Sequence, residues 1–186
     1  MEVELLAYTP NPDILCADIA TICYKAVKET EEEKLTLLSN IIHKGHLSII
    51  EHANFTFLIE GISRVASHQL VRHRVASYTQ QSLRYTKAVE YDLPSSLKDN
   101  LEVKFYMNSL FTLYNSLVEK GIKKEDARYI LPSAVVSDIV VTMNARELRH
   151  FFELRLDVSA QVEIREIARK MLTEVKKVTR VLFSDF

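Results

Sequence analysis

Alternating apolar and polar positions mark one strand at residues 2–8 and another from Asn54 to Glu60, with Phe55, Phe57 and Ile59 on one face. Two helices are signalled between them. Asn11-Pro12 sets a cap residue before a first-turn proline, and the pattern carries that helix to about Val27. Thr30-Glu31-Glu32-Glu33 has capping-box spacing, in which the hydroxyl and the carboxylate each take an orphan amide; the helix it opens runs to about His43 and stops near Gly45. Ser63 to about Val71 reads as a helix that delivers the chain into Arg72-His73-Arg74. Residues 75–94 hold no period and close on Pro94, which predicts a long ordered loop. Ser95 or Ser96 then caps a long helix ending before Gly121, and a short helix from Glu125 to Leu131 is stopped by Pro132. Val135 to Met143, rich in Val and Ile, predicts a strand. Asn144 starts a helix with Glu147 at capping-box spacing. The last helix, from about Ala160 to Leu182, has the clearest period, with Ile164, Ile167, Ala168, Met171, Leu172, Val175, Val178 and Leu182 in one stripe. The expected fold is α+β: several helices around a small antiparallel sheet, ending in a long amphipathic helix, in a single domain over residues 1–186.

Composition narrows the function classes. With 47% hydrophobic and 26% charged residues, the 186-residue chain fits one domain with a buried core. A formal net charge of -1 argues against a dedicated binder of nucleic acid or membrane surfaces, so any anion site must be a local cluster. No stretch approaches a membrane span and MEVELLAYT lacks a signal-peptide pattern, so a cytoplasmic location is expected. Cys16 and Cys23, sharing a helical face, are expected to be buried thiols. His43, His46 and His52 are poorly spaced for a metal, and none is expected.

The local cluster is RHRVASYTQQSLR, residues 72–84. Arg72 and Arg74 suit bidentate pairing with phosphate or carboxylate, and His73 between them can change charge near neutrality. If the preceding helix runs on, Gln69 neighbours His73 and His68 neighbours Arg72. A solvated basic helix end is the plain alternative. Gln80, Gln81, Ser82 and Arg84 add donors and acceptors without a carboxylate. No nucleophile elbow surrounds Ser82, so it suits binding a phosphate better than attacking a carbonyl. Arg128 sits in an apolar turn, either snorkelling outward or pointing into a pocket.

In NARELRHFFELR, residues 144–155, Arg146 and His150 share one face, while Arg155 joins the apolar stripe of Leu148, Phe151 and Phe152. A buried arginine needs an anionic partner or ligand. Asn144 is at least a helix cap. Arg146 and Arg155 are nine positions apart (155 − 146), about half a turn out of phase, which favours sites assembled from several chains. Two other readings stand beside a cofactor enzyme: an RNA-binding module that stacks bases on Tyr78 and Tyr85, and a phosphate-ester hydrolase using His73 and Ser82.

Arg72-His73-Arg74, seven residues, Ser82, then Leu83-Arg84-Tyr85 resembles the signature of the flavin-dependent thymidylate synthases. The likeness extends colinearly from about residue 43 to 165, through the Gly-His turn before Glu51-His52, the aromatic strand, Arg128 before Leu131-Pro132, and Asn144-Ala145-Arg146. The resemblance implies an FAD enzyme that methylates dUMP to dTMP, with 5,10-methylenetetrahydrofolate as carbon donor and NADPH as reductant, in a homotetramer with shared sites. It implies Ser48, Arg72, His73, Arg74, Gln80, Asn144, Arg146 and His150 as flavin residues. The implied dUMP residues are Gln69, Leu70, Val71, Arg72, Gln80, Gln81, Ser82, Leu83, Arg84, Arg128 and Arg155, with Arg155 stabilising the activated uracil. His46 and Tyr85 occupy positions near flavin and folate. No cysteine nucleophile is required. The chain reads Thr79-Gln80 where many members have Asn-Glu, and Ser159 where a histidine is common.

Overall fold

A computed structural model describes residues 1–25 and 28–186. Four antiparallel strands form one sheet: β1 (Glu2–Tyr8), β2 (Asn54–Ser63), β3 (Ala76–Gln80) and β4 (Val136–Asn144), in the order β1-β2-β4-β3. Alternation fixes the register. Phe57 faces Val141 and Phe55 faces Met143, so the large apolar residues Phe55, Phe57, Ile59, Ile139, Val141 and Met143 fall on one side. The register shifts between Ile59 and Ile62, where Gly61 adopts a left-handed φ of 67° and donates its amide to Asp138 Oδ1 at 2.9 Å.

Helices cover that apolar face. The helices are α1 (Pro12–Tyr24), α2 (Glu31–His43), α3 (Arg64–Leu70), α4 (Ser95–Lys98), α5 (Leu101–Glu119), α6 (Lys124–Ala127), α7 (Ala145–Arg155) and α8 (Val162–Lys176), and it is α1, α2, α3, α7 and α8 that supply the core on that face. The expected end of α1 near Val27 lies outside the described residues. α7 and α8 pack on each other, and α8 also packs on β1 and β2; Phe151, Phe152, Ile164, Ile167 and Met171 meet Phe55 and Phe57 in the main core. A second, smaller core gathers Leu83, Phe111, Tyr114, Ala127 and Val135 beneath α5. Among the described residues no helix is long and apolar enough to cross a membrane.

The capping box of α2 forms as read: Glu33 N donates to Thr30 Oγ1 and Thr30 N to Glu33 Oε2, each at 3.2 Å. Four expectations change. β3 lies inside the predicted loop; half-buried Ala76, Tyr78 and Gln80 alternate with exposed Ser77 and Thr79, a contrast too weak in hydrophobicity to register as a strand. The single long helix from Ser95 is broken, because Asn100 caps α5 by accepting from Val103 N at 3.1 Å. The short helix divides into α6 and a 3-10 turn at Arg128–Ile130, with Leu131 extended before Pro132. α8 stops at Lys176 rather than Leu182, because the Asp13 carboxylate accepts the amides of Arg180, Val181 and Leu182 and turns the chain back beneath α1.

Candidate active site

α3 begins at the Ser63 cap, whose hydroxyl accepts from Ala66 N at 3.1 Å, and ends at Leu70, so it does not carry the expected pairs of Gln69 with His73 and His68 with Arg72. The amides of Arg72 and His73 bond instead to the carbonyls three residues back, in tighter turns. The turn splits the tripeptide. Arg72 and Arg74 face outward and make no ion pair among the described residues, whereas His73 is 4% exposed.

Burial, with the adjacent Arg155 and His150, pushes the His73 imidazole from 6.5 down to about 4. The expected charge switch near neutrality is therefore absent, and the ring is neutral at pH 7. Its Nδ1 lies 3.3 Å from Glu147 Oε1 and its Nε2 accepts from Arg155 Nε at 3.1 Å. Burial holds the Glu147 carboxyl above its ordinary range. That contact also explains why only half of the α7 capping box forms. Asn144 Oδ1 accepts from Glu147 N at 2.9 Å, but the Glu147 side chain turns toward His73.

Beside α7 a groove of about 550 Å³ is lined by Leu47, Glu51, Val75, Asn144, Arg146, Glu147, Arg149, His150 and Glu153. It joins three separated sequence blocks. The 3-10 helix Leu47–His52 carries Ser48, exposed, and Glu51, which pairs with Arg146 at 2.6 Å. Val75 continues from Arg74, and Asn144, Arg146 and His150 arrive from the first two turns of α7. Arg155 is absent from this groove; its Nη2 reaches Gln69 O at 3.5 Å on the far side of His73. The half-turn phase difference read from the spacing is thus realised.

A second cavity, about 350 Å³, is lined by Arg64, His68, Leu83, Arg128, Tyr129, Leu131, Pro132, Ser133 and Val135. Among the described residues no carboxylate lines it. Arg64 is half-buried there; it donates to Gln80 Oε1 at 3.1 Å and to Gln81 O at 3.3 Å, and burial together with Arg128 lowers its pKa. Gln80 also donates to Ser137 Oγ at 2.8 Å, so its amide is spent inside the protein. Gln81 turns to Asp138 beside the Gly61 bulge, away from this cavity. Arg84 pairs with Glu125 at 2.6 Å, and Arg128 Nε donates to Glu125 O at 3.2 Å. Ser82 Oγ accepts from Arg84 N at 3.3 Å and bonds to no imidazole or carboxylate among the described residues, which removes the geometry a serine nucleophile needs. The side chain of Leu70 is in the main core, Leu83 in the smaller one, and Val71 faces solvent.

The alternative readings lose their residues. Tyr78 is tied by its hydroxyl to Leu70 O and His73 O, so of the expected pair Tyr85 is the one exposed for stacking. His73 is committed to Glu147 and Arg155, not to Ser82. Of the thiols, Cys16 is buried and pushed up to about 12, but Cys23 is exposed, against the expectation that both are inside. Sequence reading missed Arg64, which has no local signal. It also passed over Arg149, which stands four residues after Ala145 and three before Phe152 and so lies on the buried face; it is 6% exposed and forks onto Asp185 and Leu182 O.

The model of the Thy1 family, thymidylate synthase complementing protein, matches residues 4–179. Among curated relatives, the flavin-dependent thymidylate synthase of Geobacter sulfurreducens is 45% identical over 200 residues, covering 100% of this chain and 86% of that protein. That of Pyrococcus abyssi is 52% identical over 194 residues, covering 95% and 80%. A crystal structure of the Helicobacter pylori flavin-dependent thymidylate synthase ThyX, complexed with FAD and dUMP, superposes with a TM-score of 0.85 at 28% identity, covering 100% of this chain and 99% of that one. PolB from Streptomyces cacaoi, a UMP/dUMP methylase, shares the fold with a TM-score of 0.85 at 23% identity.

Proposed function

The chain belongs to the thymidylate synthase complementing protein family, and on that premise we propose that it is a flavin-dependent thymidylate synthase that converts dUMP to dTMP. 5,10-Methylenetetrahydrofolate is the carbon donor and NADPH the reductant. The observation that carries the reading is the convergence of residues 47–51, 75 and 144–153 on one groove, with the unpaired Arg72 and Arg74 in the adjoining turn.

The donor set fits FAD. Arg146, His150, Asn144 and the outward Arg72 and Arg74 supply cationic and amide donors suited to a diphosphate, and Leu47 and Val75 supply apolar wall. Arg146 is held by Glu51 at 2.6 Å, so an incoming anion competes with that carboxylate. FAD when bound would supply the redox chemistry. Ser82, Arg84 and Arg128 are assigned to the nucleotide phosphate; Arg84 must exchange Glu125 for it. Arg155, half-buried and permanently charged, stabilises negative charge on the pyrimidine; a guanidinium cannot act as a base. No thiolate attack is needed, because Cys16 is buried with its thiol at about 12 and neither cysteine lines the groove or the arginine cavity.

The opposed directions of Arg146 and Arg155 support a homotetramer in which neighbouring chains complete each site. A cytoplasmic location accompanies this substrate set. The test is absorbance: protein purified with FAD should show a flavin spectrum that shifts when dUMP is added. A protein that takes up no flavin would refute the assignment.

A further inference from the structure

The side chains around His73 form a chain of fixed polarity. An arginine Nε only donates, so at 3.1 Å His73 Nε2 must be the acceptor. The ring is neutral, so its single proton sits on Nδ1, directed at Glu147 Oε1 at 3.3 Å. Edge contacts with Phe151 at 5.0 Å and His150 at 5.8 Å between centroids set the plane of the ring. From β3, the Tyr78 hydroxyl donates to His73 O at 2.7 Å and pins the backbone. Glu147, His150 and Arg155 from α7, with Tyr78 from β3, are the titratable and charged groups that face the histidine.

The consequence falls on Arg155. Its guanidinium is gripped from behind, at Nε, while Nη2 has only the 3.5 Å contact to Gln69 O. The two terminal amino groups, the pair that can engage a planar ligand bidentately, are thereby left for one. A protonated imidazole would put an N–H and a positive charge against the arginine and break the grip.

We propose that Glu147 and His73 are positioning residues: Glu147 fixes the Nδ1–H tautomer of His73, and His73 Nε2 fixes the angle at which Arg155 meets the pyrimidine of the substrate. This rests on the assignment of Arg155 to dUMP. It gives the histidine of the signature a task for its ring distinct from touching flavin. It also ties the flavin groove, which Glu147 lines, to the nucleotide side through one buried ring.

The test is ¹⁵N NMR of the purified protein with side-chain-labelled His and Arg, with and without FAD, beside steady-state kinetics. In the wild type His73 should be protonated on Nδ1 from pH 6 to 8, and the Arg155 Nε–H should exchange slowly. Glu147→Leu should speed that exchange at least about tenfold. It should lower kcat about 10- to 100-fold, the scale expected for a displaced catalytic group, with the dUMP KM changing much less. Glu147→Gln, whose Oε1 still accepts, should restore the tautomer and slow exchange and recover most of the lost turnover. Should Glu147→Leu fail to fold, His73→Leu gives the same exchange and kcat readouts. A wild-type Nε2–H tautomer, or Leu and Gln variants alike in exchange and kcat, would overturn the proposal. If the NMR pattern holds but neither FAD nor dUMP binds, the enzyme assignment falls and the claim about the pyrimidine with it, while the grip on Arg155 stands.

Discussion

Lowering the pH should destabilise this protein through His73 by an amount that can be worked out beforehand. The folded protein holds the ring neutral down to about 4, whereas the unfolded chain protonates it near 6.5. Between those values the unfolded state binds the additional proton, so stability falls as pH falls through that window and is complete above it. The full difference corresponds to about 3 kcal/mol, of which about 2 kcal/mol is lost between pH 7 and pH 5. Raised by burial, Glu147 acts in the opposite sense, and the exposed carboxylates add their own slopes. The informative quantity is therefore a difference between proteins. Urea unfolding midpoints at pH 7, 6 and 5 should show the wild type losing about 2 kcal/mol more than His73→Leu, a substitution that keeps the contact with Phe151. Parallel stability profiles for the two proteins would mean that the histidine titrates alike in the folded and unfolded states, and the account of its burial would be wrong.

Arg149→Met should cost about 2 kcal/mol in thermal or urea unfolding, since it strands the buried Leu182 carbonyl and frees the exposed Asp185; Arg149→Lys should recover only part, because an ammonium cannot fork onto both. Native protein treated with iodoacetamide at pH 8 should gain one adduct by mass, on exposed Cys23, and two only after unfolding; two adducts in the native state would contradict the burial of Cys16. Ser82→Ala should raise the Kd for dUMP about tenfold yet leave measurable turnover; complete loss of chemistry with dUMP binding intact would restore the nucleophile that its surroundings exclude.

How much of this was legible in the sequence depended on distance along the chain. β2 and β4 announce themselves because their buried residues are mostly apolar and alternate, β1 because half-buried Val3 and Leu5 alternate with exposed Glu2 and Glu4, and α2 because Thr30 and Glu33 satisfy each other locally. β3 does not, because Ala76, Tyr78 and Gln80 face inward with little more hydrophobicity than their neighbours. The phase of Arg146 against Arg155 could be counted within one helix. The burial of His73 could not, since its partners stand 74 and 82 positions away and nothing in Arg72-His73-Arg74 says which of the three turns inward. The early stop of α8 is the same kind of miss: its apolar stripe continues to Leu182, but a carboxylate from α1 outcompetes the helix for the amides.

That carboxylate sets a clock on folding. Asp13 receives amides from residues 167 to 169 positions later, among the longest closures the chain can make. Contacts of this span repay their loop entropy last. A growing chain on the ribosome carries α1, β1 and β2 long before it carries residues 180–182, so these elements wait with part of their apolar face uncovered until that segment follows. Phe183, which packs against Phe55 and Phe152, arrives with the same segment. Completion of the main core is therefore a late event, timed by the arrival of residues 180–183.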